Sequence, residues 1–352
     1  MVWDLEAGEQ IGVLEGPVSF PRAVISADAR TAVTTTAEGM LRAWDLATWE
    51  ESEVGEGSID LMHLASADLA CDRCVVTAQI DVIRYWDLAS YRRAVTPIGQ
   101  SGIFGVWALG ITPDGSRAVM AGSGEAVEVW DLAAAAYVSR FSVPHEKVKS
   151  LAITRDGANV VTVTEGSLAV SELATGALLL HIRLAGIDHV WPTEDADRVL
   201  IGGQDASGNR ILAAFDTYVV EGSPVLVRAD ESSTILPSKD GRFAVVTDAR
   251  RRATLRWLES EGRQVELGAS AVMLEGVTVP PGSTRLVGVG RVDRERAGAA
   301  VWDTMTGDLL GEAVFAGDSR PLSAYDLSLD GARATVSDNG GRTHFLELRG
   351  FG

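Results

Sequence analysis

The sequence predicts an all-β fold made of one module repeated along the chain, and three observations predict it. The first is a short anchor. In Ala126-Val127-Glu128-Val129-Trp130-Asp131-Leu132, Val127 and Val129 fall on one face of a strand and Glu128 on the other, before an aromatic, an acid and a leucine close the motif. The second is its recurrence. Close copies stand at Val2-Trp3-Asp4-Leu5, Ala43-Trp44-Asp45-Leu46, Tyr85-Trp86-Asp87-Leu88 and Val301-Trp302-Asp303-Thr304. Weaker ones stand at Val170-Ser171-Glu172-Leu173, Ala214-Phe215-Asp216-Thr217, Arg256-Trp257-Leu258-Glu259 and Phe345-Leu346-Glu347-Leu348. Anchor positions 3, 44, 86, 130, 171, 215, 257, 302 and 346 lie 41 to 45 residues apart, the mark of a repeat architecture. The third is punctuation: β-branched runs alternate with Asp/Gly turns, and no segment carries a helical pattern of useful length.

Taken in order, the first module is incomplete. Residues 1–5 read as an anchor strand, 6–9 as a tight turn and 10–14 as a further strand, with nothing to supply the two strands that precede later anchors. From about residue 18 the pattern is regular: strand, Asp-rich turn, strand, turn, anchor strand, turn, outer strand. The first turns carry Asp28, Pro113-Asp114-Gly115, Arg155-Asp156-Gly157, Lys239-Asp240-Gly241 and Leu329-Asp330-Gly331, with Pro280-Pro281-Gly282 in the same role. Asp bonds back to its own turn and Gly takes the positive φ that such turns need. The alanines at 133–136 have helical propensity but sit where other modules turn, so they are read as a turn into the outer strand.

Four strands per module at this spacing is the pattern of propeller blades. The expected fold is therefore a single all-β β-propeller over residues 1–352, with eight four-stranded blades and seven as the alternative. Closure is expected by pairing N- and C-terminal strands, residues 1–15 completing the last blade with 320–348. The strand at 10–14 is expected beside the final anchor, with residues 1–5 left as a surplus anchor. That surplus, and a start inside a blade, lead to the expectation of a fragment of a longer parent.

Composition narrows the function classes. The net charge is −18, which disfavours nucleic acid and anionic membrane as partners. No basic leader or uninterrupted apolar run of spanning length occurs; the best run, residues 173–184, is broken by His181 and Arg183. Cys71 and Cys74 alone cannot complete a zinc site. A monomeric cytoplasmic protein without cofactor is expected. The Ala-, Gly-, Val- and Arg-rich composition is compatible with a bacterium of high genomic G+C.

Through its period and its Val-Trp-Asp-Leu anchors, nearly the whole chain resembles the WD40-repeat family, in the divergent form found as C-terminal sensor arrays of bacterial multidomain NTPases and kinases. The resemblance implies blades running outward from a central channel, with Trp-Asp ending the third strand. It also implies a buried His, Ser/Thr, Asp and Trp tetrad, which no blade completes here. Only His145 stands where the His belongs, and its own blade has Ser171 in place of the Trp. Glu38 and Glu165 occupy turns usually taken by Asp.

Catalytic chemistry finds little support in the residues. His63, His145, His181, His189 and His344 are scattered at spacings unlike a ligand set, and acid pairs such as Asp195 and Asp197 are neighbours in turns. Glycine-rich segments lack the helix that phosphate binding needs. The expectation is a non-catalytic protein–protein interaction scaffold or sensor platform; a propeller enzyme or ligand-binding protein with a site at the central channel is the alternative. Charge singles out one surface. Arg250, Arg251 and Arg252, then Arg291, Arg294 and Arg296, cluster on loops of one face of neighbouring blades. Asp248, Asp293 and Glu295 lie beside them as ion-pair partners. Unpaired guanidinium groups there would bind an acidic or phosphorylated protein partner. Trp107, His145, Lys147 and Trp191 are placed on or just after loops of the same face and join them as candidate contact residues.

Overall fold

The structure is a computed structural model of the 352-residue chain. Between 106 and 316 it describes all residues except 123–125, 135, 144–146, 185, 194, 196–197, 218–225, 239, 259–261, 281 and 294–295. Elsewhere it describes 2–4, 9–12, 23–25, 30–35, 41–48, 50–53, 63–66, 74–79, 82–87, 322–327, 333–338 and 343–347, with side chains only at 30, 31, 43–48 and 50. The side chains of Trp107, Leu226, Phe315 and Ala316 also lie outside the description.

The described residues form eight sheets and no helix, and they fall in two compact units. The unit of residues 59–231 holds four sheets. Module 2 contributes His63–Ser66, Cys74–Gln79 and Val82–Asp87. Module 3 is Val106–Ile111, Arg117–Gly122, Ala126–Asp131 and Ala136–Ser142. Module 4 is Ser150–Ile153, Asn159–Val163, Ser167–Glu172 and Leu178–Arg183. Module 5 is Ile187–Pro192, Arg198–Gln204, Arg210–Asp216 and Leu226–Ala229. In every one the strands pair antiparallel in chain order, and the first strands of successive modules lie side by side. Ser150 Oγ ties two of them together, accepting from Val190 N at 3.2 Å.

The unit of residues 1–58 and 232–352 has the same construction. Module 1 is Ala23–Ile25, Thr31–Thr35, Leu41–Asp45 and Glu51–Glu53. Module 6 is Thr234–Pro237, Phe243–Thr247, Ala253–Trp257 and Gln264–Glu266. Module 7 is Met273–Thr278, Arg285–Arg291, Arg296–Asp303 and Leu309–Ala316. Module 8 joins Leu322–Leu327, Arg333–Asp338 and Thr343–Glu347 to two strands from the N-terminus.

That last sheet corrects the expected strand order. Val2–Asp4, not the strand around residues 10–14, lies beside the final anchor strand, and it runs parallel, with Trp3 opposite Leu346. Glu9–Gly12 then pairs antiparallel with Val2–Asp4 as a fifth strand. The N-terminal hairpin therefore enters as one piece. The two strands stay paired with each other, and the leading one takes the edge of the final anchor strand.

Sheets pack face to face within each unit, and module 4 is covered on both faces by its neighbours. Val119, Ala121, Val127 and Val129 of module 3 form one core with Leu151, Ile153 and Val160 of module 4. Val161, Val163, Leu168 and Val170 form the next with Ile187, Val190, Ile201 and Phe215 of module 5. In the other unit Phe243, Val245, Leu255 and Trp257 of module 6 meet Leu274, Val277, Leu286 and Trp302 of module 7. Second and third strands are thus buried along nearly their whole length, whereas Ala136–Ser142 and Leu178–Arg183 are largely exposed. Double coverage also takes in Glu128. Its face is not open to solvent; the residue is 2 % exposed, with Trp130 Nε1 donating to Oε2 at 3.3 Å and Arg140 Nη1 4.0 Å from Oε1. A buried carboxylate needs such partners.

The turns are built alike. Thr112, Thr154 and Ser238 stand two residues before the Asp of their turn, and each hydroxyl donates to that Asp at 2.5–2.6 Å. The same oxygens accept from the backbone N–H of Arg117, Asn159 and Phe243, clipping the mouth of the hairpin. Gly115, Gly157 and Gly241 follow at φ near 70°. The anchor acids close the next turn: Asp45 Oδ1 accepts from Ala47 N and Thr48 N, and Asp303 Oδ1 from Met305 N and Thr306 N. The residue after the acid is buried at Leu46, Leu132, Leu173 and Thr304 and bonds back to the preceding turn, as Leu46 N does to Arg30 O and Leu132 N to Ser116 O.

Two predictions follow from this packing. Trp302, 1 % exposed, should lose about 3–5 kcal/mol on truncation to Ala. Met305→Ala, at a side chain 57 % exposed, should change stability by less than about 0.5 kcal/mol; denaturant melts compare the two. The second concerns acid. The Thr112 hydroxyl, then Ser116 N–H, hold the Asp114 carboxyl below its ordinary value of 3.8. Backbone N–H groups of Thr306 and Met305 do the same for Asp303. A lowered folded value means that the stabilisation is present above pH 3.8 and is lost as pH falls through the folded value. Asp114→Asn should be less stable than the parent at neutral pH, and the gap should close below pH 3.8.

Candidate functional site

Sequence-predicted arginines converge on one feature, a half-open cleft of about 860 Å³ between modules 6 and 7. Its size lies within the range of ligand-binding clefts. One wall is the hairpin loop between Phe243–Thr247 and Ala253–Trp257, with Arg250, Arg251 and Arg252 all exposed. The other is the connection from Leu267 to Met273 with Glu275 and Arg291. Its apolar floor is half-buried Leu236 over the buried side chains of Leu267, Val272, Leu274 and Trp302. Trp302 Nε1 donates to Gly268 O at 2.9 Å, and Glu312 accepts from Ser270 Oγ and Ala271 N. The connection is therefore pinned to the body of module 7.

The arginine loop is a three-residue hairpin turn closed by Asp248. Asp248 N donates to Arg252 O at 3.0 Å and Arg251 N to Asp248 O at 2.8 Å. Asp248 Oδ1 accepts from Arg250 N and Arg252 N, both at 2.9 Å. These bonds, that from Arg252 N–H first, hold its carboxyl below the usual range. Arg251 takes the left-handed position of the turn, φ 64°, and is the one non-glycine residue with positive φ among the described residues. Module 5 builds the same loop from Asp205 to Asn209, with Gly208 at φ 81° in that position. An L side chain there is strained by about 1–2 kcal/mol.

Across the cleft, a bulge between Leu274 and Gly276 takes Glu275 out of the strand pairing. Its carboxylate forms an ion pair with Arg291. Burial pushes the Glu275 carboxyl up, against the pull of Arg291. The cleft is lined by four arginines against the carboxylates of Asp248, Glu266 and Glu275. Arg252 is spent on Asp248, at 2.7 Å, and Arg291 on Glu275. Arg250 and Arg251 make no side-chain ion pair among the described residues.

The other expected contact residues divide differently. Arg296 is exposed and paired with Asp293 at 2.6 Å, outside the cleft lining. Arg294 and His145 lie outside the described residues, as does the side chain of Trp107. The backbone of Trp107 sits at a first-strand bulge equivalent to that of Glu275. Lys147, which is exposed, and Trp191 belong to the other unit. Trp191 lies within strand Ile187–Pro192, 36 % exposed and stacked on His189 at 5.5 Å. Sequence reasoning missed Glu275 and the apolar lining. The pairing of Glu275 with Arg291 crosses sixteen residues through the bulge, and only strand register reveals it.

No protein-family model and no curated protein sequence matches the chain. Solved structures share its fold. One is a computationally designed protein, Ika8, at 18 % identity and TM-score 0.64, covering 94 % of this chain and 97 % of the other. Another is hydrazine synthase of Kuenenia stuttgartiensis, at 13 % identity and TM-score 0.53, covering 93 % and 95 %. At these identities the likeness concerns the fold alone.

The loop geometry yields a direct test. Replacing Arg251 by Gly relieves about 1–2 kcal/mol of backbone strain and adds roughly 0.5–1 kcal/mol of unfolded-state entropy. Arg251→Gly should therefore raise stability by about 0.5–1 kcal/mol, whereas Arg250→Gly should lower it. Equal losses in chemical denaturation would contradict the strain.

Proposed function

We propose that the chain is a WD40-like β-propeller of eight modules that serves as a non-catalytic platform for a protein partner. The repeated four-stranded sheets, the side-by-side first strands and the sheet shared by the two chain ends support the architecture. One observation carries the function: Arg250 and Arg251 are exposed at a cleft wall without ion-pair partners among the described residues, in a chain of net charge −18. A local basic surface on an acidic protein selects an acidic or phosphorylated partner and repels most others. Guanidinium forks bind carboxylate and phosphate in bidentate fashion, and Arg is enriched among residues that dominate interfaces.

The test is capture of partner proteins from cell extract by the immobilised chain. Joint reversal of Arg250, Arg251 and Arg252 to Glu should abolish capture of the specific partner and leave a cooperative melt. Capture by the parent should weaken as salt rises, since exposed charges are screened over about 8–10 Å near physiological ionic strength. Capture indifferent to both changes would remove the arginine loop from the interface.

A further inference from the structure

We propose that the cleft between modules 6 and 7 is a recognition site for a single anionic side chain on an extended peptide segment, with Arg250 and Arg251 as its ligands and Arg291 as a third that the ligand draws from Glu275. The proposal rests on the partner-platform reading and names what that platform reads.

Three observations carry it. The first is the strain at Arg251. Module 5 places glycine at the same point of the same loop, so the turn does not require arginine. A side chain held in the left-handed region where glycine would be relaxed points to a use for that side chain. The second is supply of charge. Asp248 is committed to the loop backbone and to Arg252, which leaves the adjacent guanidinium groups of Arg250 and Arg251 for a ligand. The third is the opposite wall. The Glu275–Arg291 pair brings a cation to the cleft under the cover of an internal anion. An incoming oxyanion competes with Glu275 for Arg291, so the empty site carries its own stand-in for the ligand's charge. Burial already disfavours the charged form of Glu275, against the pull of Arg291.

The lining decides the class of occupant. Leu236, half-buried, offers apolar contact next to the arginines, with Val272 and Leu274 buried behind it. An extended segment fits both features, laying one anionic group among the guanidinium groups and a neighbouring apolar side chain on the lining. Phosphate monoester and carboxylate share the required chemistry, since both accept bidentate bonds from Arg.

Fluorescence polarisation at low salt tests the site with three short labelled peptides, identical except for phosphoserine, glutamate or serine between two leucines. Unlabelled inorganic phosphate serves as competitor. Saturable binding of the phosphoserine or glutamate peptide, and not of the serine peptide, is expected. The tighter of the two identifies the source of the charge. Arg251→Gly and Arg250→Ala should each weaken binding by about tenfold or more, although Arg251→Gly stabilises the fold. Arg296→Ala, outside the cleft, should leave binding unchanged. Glu275→Gln, which frees Arg291, should tighten it. Equal affinity for all three peptides, no saturable binding of any, or undiminished binding by Arg251→Gly would overturn the proposal. So would inorganic phosphate competing at the peptide's own affinity, since the segment would then add nothing. Failure of every peptide while partner capture still depends on the arginine loop would end this inference and leave the platform reading standing. Loss of capture dependence with peptide binding intact would do the reverse.

Discussion

The structure depends on one constraint: the inner strands of a sheet are buried on both faces, in module 4 between the two neighbouring sheets. A four-stranded sheet of this size cannot bury its apolar faces alone. Once stacked, its third strand must be apolar or compensated throughout, which explains the run Ala126 to Trp130 and the bonds that reach Glu128. Large aromatics at the anchor fill the space between one sheet and the next. Trp302 of module 7 does so against Trp257 and Phe243 of module 6. Ser171 departs from this as a small residue buried at an anchor position, opposite Val160.

Packing on both faces sends any variable chemistry to the loops. Most turns are occupied by structural work: Thr112, Thr154 and Ser238 clip them at one end, and Asp45 and Asp303 cap them at the other. The loop of residues 248–252 departs from that pattern. Asp248 provides all the closure the loop needs, and three of the four remaining positions carry arginine, one of them in a conformation suited to glycine. The strain of that one residue is small beside the stability that the cores of modules 6 and 7 provide, so the fold tolerates it.

Much of this was legible in the sequence. The period, the anchors, the Asp-Gly turns and the Asp248 and Asp293 partners of nearby arginines are all local, and local patterns survive folding. The hydroxyl two residues before each turn Asp is equally local, yet it reads as ordinary turn composition until its two bonds are seen. Burial of Glu128 was not legible, because period-two alternation reports which face a residue takes and not whether another sheet covers that face. The edge chosen by Val2–Asp4 was hidden for a related reason: two short strands of similar pattern compete for it, and the hairpin that joins them decides. Glu275 became visible only through a bulge in strand register.

The central claim is that double coverage, not hydrogen bonding within a sheet, sets the stability of each strand. Amide hydrogen exchange followed strand by strand tests it most directly. Amides of Ala126–Asp131 and Ser167–Glu172 should exchange last, and those amides of Ala136–Ser142 and Leu178–Arg183 that are bonded to them well before, although both sets are hydrogen-bonded in the same sheets. Equal protection of anchor and outer strands within a module would contradict the account.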